Sequence, residues 1–327
     1  MNAAVTGGTG FVGQSLVRLL AQQAVDTRVL VRRPEDDDRV RAWGAVPIRG
    51  DITADGGCDG FVRPDDIVIH AAARVDLRGQ WEEFERTTVQ GTRRLLAAAL
   101  PHNPRRFVYV SSAAVYSLQP GPDGELVEGP DRGNLYGRAK LLAERVVRAE
   151  CERAGCPWSI VRLGFVYGPG NRALADHLTS LTKRGLLYVV GDGANRIATL
   201  YVDDAARALW LAGTHPGASG RTYTVAGEER VTQEQFLAAM TEAFGLPRPQ
   251  RHIGARLACG VVGLAGVVRS LWGGEATLNR AAIRLMAADQ QLDATPIRDE
   301  LGWRPATGFE EGVRRTREWY AQELAKR

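Results

Sequence analysis

An apolar run, Ala3-Ala4-Val5, leads into Thr6-Gly7-Gly8-Thr9-Gly10-Phe11-Val12-Gly13, and Leu16, Leu19 and Leu20 follow at helical spacing. Few folds accommodate that order. It reads as a short buried strand, a turn stripped of side chains, and a helix whose first N–H groups have no partner within the helix. The glycines fit both G-x-G-x-x-G and G-x-x-G-x-x-G. Such a pattern alone also describes an ordinary tight turn. Between a strand and a helix, however, the absent side chains let a pyrophosphate reach the backbone, and the helix start supplies donors and partial positive charge. Dinucleotide binding is therefore expected, with Gly7, Gly10, Phe11, Val12 and Gly13 forming the cradle.

The alternation continues down the chain. Apolar strand patterns occupy 27–31, part of 65–73, 105–112 and 158–168, and amphipathic helical patterns occupy 81–100 and 136–150. Continuous apolar strands between such helices predict a doubly wound α/β domain, its parallel sheet covered on both faces. After residue 169 the pattern weakens. A dinucleotide-binding domain is expected over 1–168, with about 186–212 returning to it. A smaller, mostly helical substrate lobe is expected within 169–327, over the carboxyl ends of the strands. The Gly- and Pro-rich stretch 118–134 reads as a loop able to cover the site as a flap.

Bulk properties exclude several function classes. The net charge of +4 is mild, and the basic pairs Arg32-Arg33 and Arg105-Arg106 are too short for a nucleic-acid stripe. Four cysteines in 327 residues make no disulfide framework, and the five histidines form no metal-ligand spacing, so neither a disulfide nor a metal is expected. The most apolar run, 257–268, falls short of the roughly 20 residues needed to span a bilayer. A cytoplasmic protein is expected, with a peripheral membrane contact left open.

The coenzyme's form depends on the residues after the second strand. An NAD-preferring chain would offer a carboxylate there to the ribose 2′-hydroxyl. Here Val31 is followed by Arg32 and Arg33, whose guanidiniums suit a 2′-phosphate and also read as plain surface charge. NADP is the preferred expectation and NAD the alternative.

Eight motifs occur in order: "TGGTGFVG" (6–13), "GDI" (50–52), "HAAA" (70–73), "VYVSSAAVY" (108–116), "YGRAK" (136–140), "VRLGFVYGPG" (161–170), "YVDDAARA" (201–208) and "LGWRP" (301–305). Together they resemble the extended short-chain dehydrogenase/reductases, over nearly the whole chain. The resemblance implies a Rossmann domain, a small C-terminal substrate lobe and a homodimer. It assigns Tyr136 as acid/base, Ser112 as polariser of the substrate oxygen, and Lys140 as ribose ligand and modulator of the phenol. It also sets Asp51 and Ile52 near the adenine and Ala71 and Ala72 beside the coenzyme. Elementary chemistry agrees. Tyr136 and Lys140, at i and i+4, share a helix face. A free phenol titrates near 10, and a neighbouring ammonium favours its phenolate.

Departures from the family pattern narrow the reaction. Dehydratases of this kind carry an Asp-Glu pair after the catalytic Ser, where this chain has Ala113-Ala114, and methyl groups cannot move protons. Nucleotide-sugar members place Asn where Phe165 stands, and a diphosphate-binding Arg where Ile197 stands, with Arg196 one residue off register. Ala114 and Phe165 are thus expected to face an apolar substrate, although Phe165 also suits core filling. The segment 252–274 resembles the apolar stretch of the 3β-hydroxysteroid dehydrogenase branch. Thr88 replaces the family's usual Asn, so any ordering of the site there must use a different bond. The expected activity is NAD(P)-dependent interconversion of a secondary alcohol and a ketone on a sterol-like or 3-oxo acyl substrate. The alternatives are a nucleotide-sugar 4-epimerase or 4-ketoreductase and, further off, a non-catalytic dinucleotide-binding protein.

Overall fold

The structure, a computed structural model, describes residues 1–75, 79–118, 127–130, 133–262 and 280–326. Six strands, β1 (Asn2–Thr6), β2 (Asp26–Val31), β3 (Val46–Arg49), β4 (Ile67–His70), β5 (Arg106–Ser112) and β6 (Trp158–Leu163), join a seventh, Arg221–Val225, in one sheet. Its order is 221–225, β6, β5, β4, β1, β2, β3, and every neighbouring pair is parallel. β4 and β6 are buried at every position, so they read as largely apolar runs in which the polar exceptions, His70, Ser159 and Arg162, are buried as well. The order reverses between β1 and β4, so a crevice opens at their carboxyl ends.

Two cores flank the sheet. Leu16 and Leu20 of α1 (Phe11–Gln22) pack with Val29 and with Leu209 of the helix Val202–Thr214 on one face. Leu95, Phe107, Val147 and Ile160 pack beneath the helices Gly91–Ala99 and Leu135–Ala154 on the other. A third cluster, around Tyr167, Phe236, Met240 and Val313, builds the C-terminal lobe.

The structure redraws part of the expected organisation. Strand Arg221–Val225 lies at the edge of the central sheet beside β6, not in the lobe. Conversely, Val189–Val190 pairs with His252–Ile253, and Arg196–Ile197 with Val231–Thr232, so these pieces of 186–212 leave the sheet. Two-residue strands are too short for periodicity to reveal their partners. β3, half-exposed at the opposite edge, lacks the apolar run that marks its neighbours. The helical pattern 81–100 divides into Trp81–Phe84, a π-helical turn Glu85–Gln90 and Gly91–Ala99. Most of the 118–134 loop and residues 263–274 of the apolar segment lie outside the described residues, while 255–262 is helical with Leu257 and Val261 exposed.

Candidate active site

The glycine turn sits at the switch point, packed too tightly for side chains. Gly7 has φ +69°, and a Cβ there would lie 2.6 Å from the Ala72 nitrogen and 2.7 Å from the Ala71 carbonyl carbon. A Cβ on Gly13 would overlap the Gly7 carbonyl, while the Gly10 N–H donates to that carbonyl at 3.0 Å. α1, which Phe11 and Val12 open, has no side-chain cap and no acidic residue in its first turn. Its first N–H groups therefore face the crevice beside a surface that a backbone-hugging pyrophosphate fits. Ala71 and Ala72 are held there by Thr6, through Ala71 N–H to the Thr6 carbonyl at 3.1 Å and Ala72 N–H to Oγ1 at 3.3 Å.

Asp51 and Ile52 follow β3 at the same end of the sheet. The Asp51 carboxylate accepts the Thr53 N–H and hydroxyl, both at 2.8 Å, and buried Ile52 fills the space that Gly91 leaves by lacking a Cβ. Arg32 and Arg33 are exposed after β2, and Arg33 pairs with Asp36 at 3.3 Å. Sequence reasoning missed Arg39. Its guanidinium donates to the Thr9 carbonyl in the glycine turn at 3.1 Å and pairs with buried Asp36 at 3.0 Å, placing a third cation on that rim.

Ser112 ends β5, and Tyr136 and Lys140 lie one turn apart on the helix Leu135–Ala154. Burial pushes the Tyr136 phenol above its ordinary range, and a hydrogen bond from Ser112 pulls the other way. The Lys140 Nζ donates to the Val110 carbonyl at 2.6 Å and lies 4.9 Å from the Tyr109 ring centroid. Burial lowers it to about 7, against the pull of Glu144. The expected acidification of the phenol by its lysine is not seen within the chain itself: burial moves Tyr136 the other way.

Three features support these residues: a helix cap, a long-range ion pair and the Thr88 position that the sequence singles out. Asn134 caps the helix Leu135–Ala154, its Oδ1 accepting the Gly137 N–H at 2.9 Å while its Nδ2 donates to the Ala114 carbonyl at 3.0 Å. That clamps the turn after Ser112 onto the start of the Tyr136 helix, so closely that a Cβ on Gly137 would overlap Ala114. Glu144, fully buried one turn beyond Lys140, accepts from Ser111 at 2.6 Å and from Arg162 at 2.9 and 2.6 Å. Arg162 also donates to the Tyr116 hydroxyl at 3.0 Å and pairs with Glu128, within the Gly- and Pro-rich stretch. Thr88, on the π-helical turn, accepts the Arg74 N–H at 3.2 Å and so orders the segment after β4. Arg74 is half-buried and pairs with Glu83 at 3.2 Å.

On the substrate side, Ala114 lies half-buried in the turn after Ser112. Phe165 is 38% exposed, and its ring packs edge-on against Phe236 with centroids 5.1 Å apart, so it is both lobe packing and open apolar surface. Ile197 packs partly buried into the lobe cluster. Arg196 is held by Asp289 through Nε at 3.0 Å and Nη2 at 2.6 Å, and so is committed to the fold.

A profile of the NAD dependent epimerase/dehydratase family matches residues 3–226. The 2-alkyl-3-oxoalkanoate reductase of Stenotrophomonas maltophilia is 29% identical, over 96% of this chain and 98% of that one. A 3beta-hydroxysteroid-dehydrogenase/decarboxylase of Arabidopsis thaliana is 24% identical, over 95% of this chain and 78% of that one. Among solved structures, MoeE5 in complex with UDP-glucose and NAD superposes with a TM-score of 0.73 at 25% identity, covering 99% of this chain and 100% of that one.

Proposed function

Since the chain belongs to the NAD dependent epimerase/dehydratase family and is an NAD(P)-dependent enzyme of the extended short-chain type, we propose that it reduces a ketone to a secondary alcohol on a largely apolar 3-oxo acyl or sterol-like substrate. The observation that carries this reading is the contrast within one turn. The Ser112 and Tyr136 hydroxyls meet at one point, and only the methyl groups of Ala113 and Ala114 stand where a second proton transfer would need carboxyls. The site then handles a proton at one oxygen and none at the neighbouring carbons.

The bound nicotinamide supplies the hydride, or accepts it in the reverse direction. Ser112 donates a hydrogen bond to the substrate oxygen and orients it. Tyr136, a phenol that burial pushes further from its phenolate form, gives its proton to that oxygen, as reduction requires. The Lys140 ammonium, anchored on the Val110 carbonyl, stabilises the phenolate left behind. The name of the Stenotrophomonas relative supports an oxoacyl substrate. Phe165 and Ile197, together with the commitment of Arg196 to Asp289, weigh against a nucleotide sugar.

The basic rim of Arg32, Arg33 and Arg39 supports NADP(H) over NAD(H). The family resemblance supports a cytoplasmic homodimer. Among the described residues no helix is long and apolar enough to cross a membrane, and exposed Leu257 and Val261 are where a peripheral contact would rest.

The test follows the absorbance of reduced nicotinamide with 2-alkyl-3-oxoacyl and steroid-ketone substrates, and the conversion of UDP-glucose to its 4-epimer by chromatography, since epimerisation leaves the coenzyme's redox state unchanged. Tyr136→Phe should lower kcat by about 10³-fold and leave coenzyme affinity within about twofold. Near-normal turnover in that variant would refute the assignment, and turnover confined to UDP-glucose would install the nucleotide-sugar reading instead.

A further inference from the structure

Beneath the coenzyme turn lies a buried polar chain that the catalytic scheme does not use. His70, fully buried at the end of β4, has its Nδ1 2.6 Å from the Thr6 hydroxyl and its Nε2 3.0 Å from the Thr92 hydroxyl. Thr92 donates to the Thr88 carbonyl at 2.6 Å, and Thr6 accepts the Ala72 N–H at 3.3 Å. A hydroxyl has one proton and a carbonyl only accepts. The Thr92 proton is therefore spent on Thr88, so Nε2 must be the donor to Thr92. The bare Nδ1 then takes the Thr6 proton, and Thr6 keeps its lone pairs for Ala72. Every bond points one way, from Ala72 through Thr6, His70 and Thr92 to the π-helical turn.

We infer that His70 is a positioning residue for the dinucleotide, its Nε2–H imidazole bracing Thr6 so that the Ala71–Ala72 backbone stays pressed against Gly7. The geometry makes this bracing matter. Gly7 and Ala72 are so close that no side chain fits between them, and Thr6 is the residue that bonds both Ala71 and Ala72. A slack Thr6 would let the floor of the cradle drift. The groups facing the ring are Lys140 on the catalytic helix and Tyr109 on β5, 5.6 Å away. Burial first, and the Lys140 charge second, hold His70 near 3, so the orientation persists through neutral pH.

This inference rests on the dinucleotide reading, and the experiment separates the two. Wild type, Thr92→Val, Thr6→Val and Thr92→Ser are titrated with NADPH and NADH by fluorescence, their folding is checked by urea denaturation, and the side-chain ¹⁵N shifts of His70 are recorded by NMR. The two valine variants should weaken coenzyme binding about tenfold, the effect of roughly one buried hydrogen bond, with kcat at saturation within about threefold. Thr92→Ser should restore wild-type affinity, and wild-type His70 should show a protonated Nε2 and a bare Nδ1. Folded valine variants that bind as tightly as wild type, or an Nδ1–H imidazole, would overturn the inference alone. Wild-type protein that binds neither coenzyme would overturn the functional reading and this one with it.

Discussion

Replacing Glu144 by glutamine keeps its shape and removes the charge that anchors the site from below. The carboxylate is fully buried and accepts four hydrogen bonds: one from Ser111, two from Arg162 and one from Arg148 at 3.3 Å. Glutamine preserves one oxygen and turns an amide NH2 towards a guanidinium, donor against donor. Removing one partner of a buried ion pair costs roughly 3–5 kcal/mol, because the other charge is left without compensation. Arg162 retains Tyr116 and Glu128 as partners, which puts Glu144→Gln at the lower end, about 3 kcal/mol. For a chain of this size that is a fall in Tm of roughly 4–5 °C. Urea and thermal denaturation measure it, and Arg162→Met added to Glu144→Gln should recover part of the loss by removing both ions. Catalysis reports separately. Glu144 supports the Lys140 ammonium, so removing its charge should move a pH–rate limb belonging to Lys140 to lower pH. A Glu144→Gln protein within about 1 kcal/mol of wild type, with an unmoved limb, would show that this network does not hold the site.

Gly137→Ala should be destabilising although alanine favours a helix by about 1 kcal/mol, because its Cβ would overlap the Ala114 carbonyl. The displaced Tyr136 should lower kcat at least about tenfold, as steady-state kinetics will measure. Acid should weaken the fold through His70. Its folded value near 3 lies below the unfolded value of about 6.5, so its contribution is complete above about 6.5 and is lost as pH falls towards 3. Wild type should then lose urea resistance across that window more steeply than His70→Asn. Arg39→Ala should weaken NADPH binding about tenfold while leaving NADH within about twofold, measured by fluorescence titration; equal losses for both coenzymes would remove Arg39 from the 2′-phosphate rim.

The motif residues that could be read from the sequence are those whose chemistry is set by near neighbours. Glycines at 7, 10 and 13 between a strand and a helix, and Tyr136 four residues before Lys140, announce themselves because helix and strand periodicities place such residues together without help from the rest of the chain. Other features depend on pairs brought together from afar. Thr6 meets His70 across 64 residues and His70 meets Thr92 across 22, while Glu144 and Arg162 come from a helix and a strand. No spacing rule joins them. Edge strand Arg221–Val225 escaped for a related reason: its sheet membership is a backbone pairing with β6 rather than a property of its own pattern.

What residue order determined alone was the doubly wound scaffold; it also singled out the glycine turn and the side chains proposed to handle the proton. Burial decided the rest. Only the packed fold withdraws Tyr136 and Lys140 from water, raising the one and lowering the other, and commits Arg196 to Asp289 instead of a ligand. Solvation and long-range contact are properties of the assembled interior, and no stretch of chain carries them before it folds.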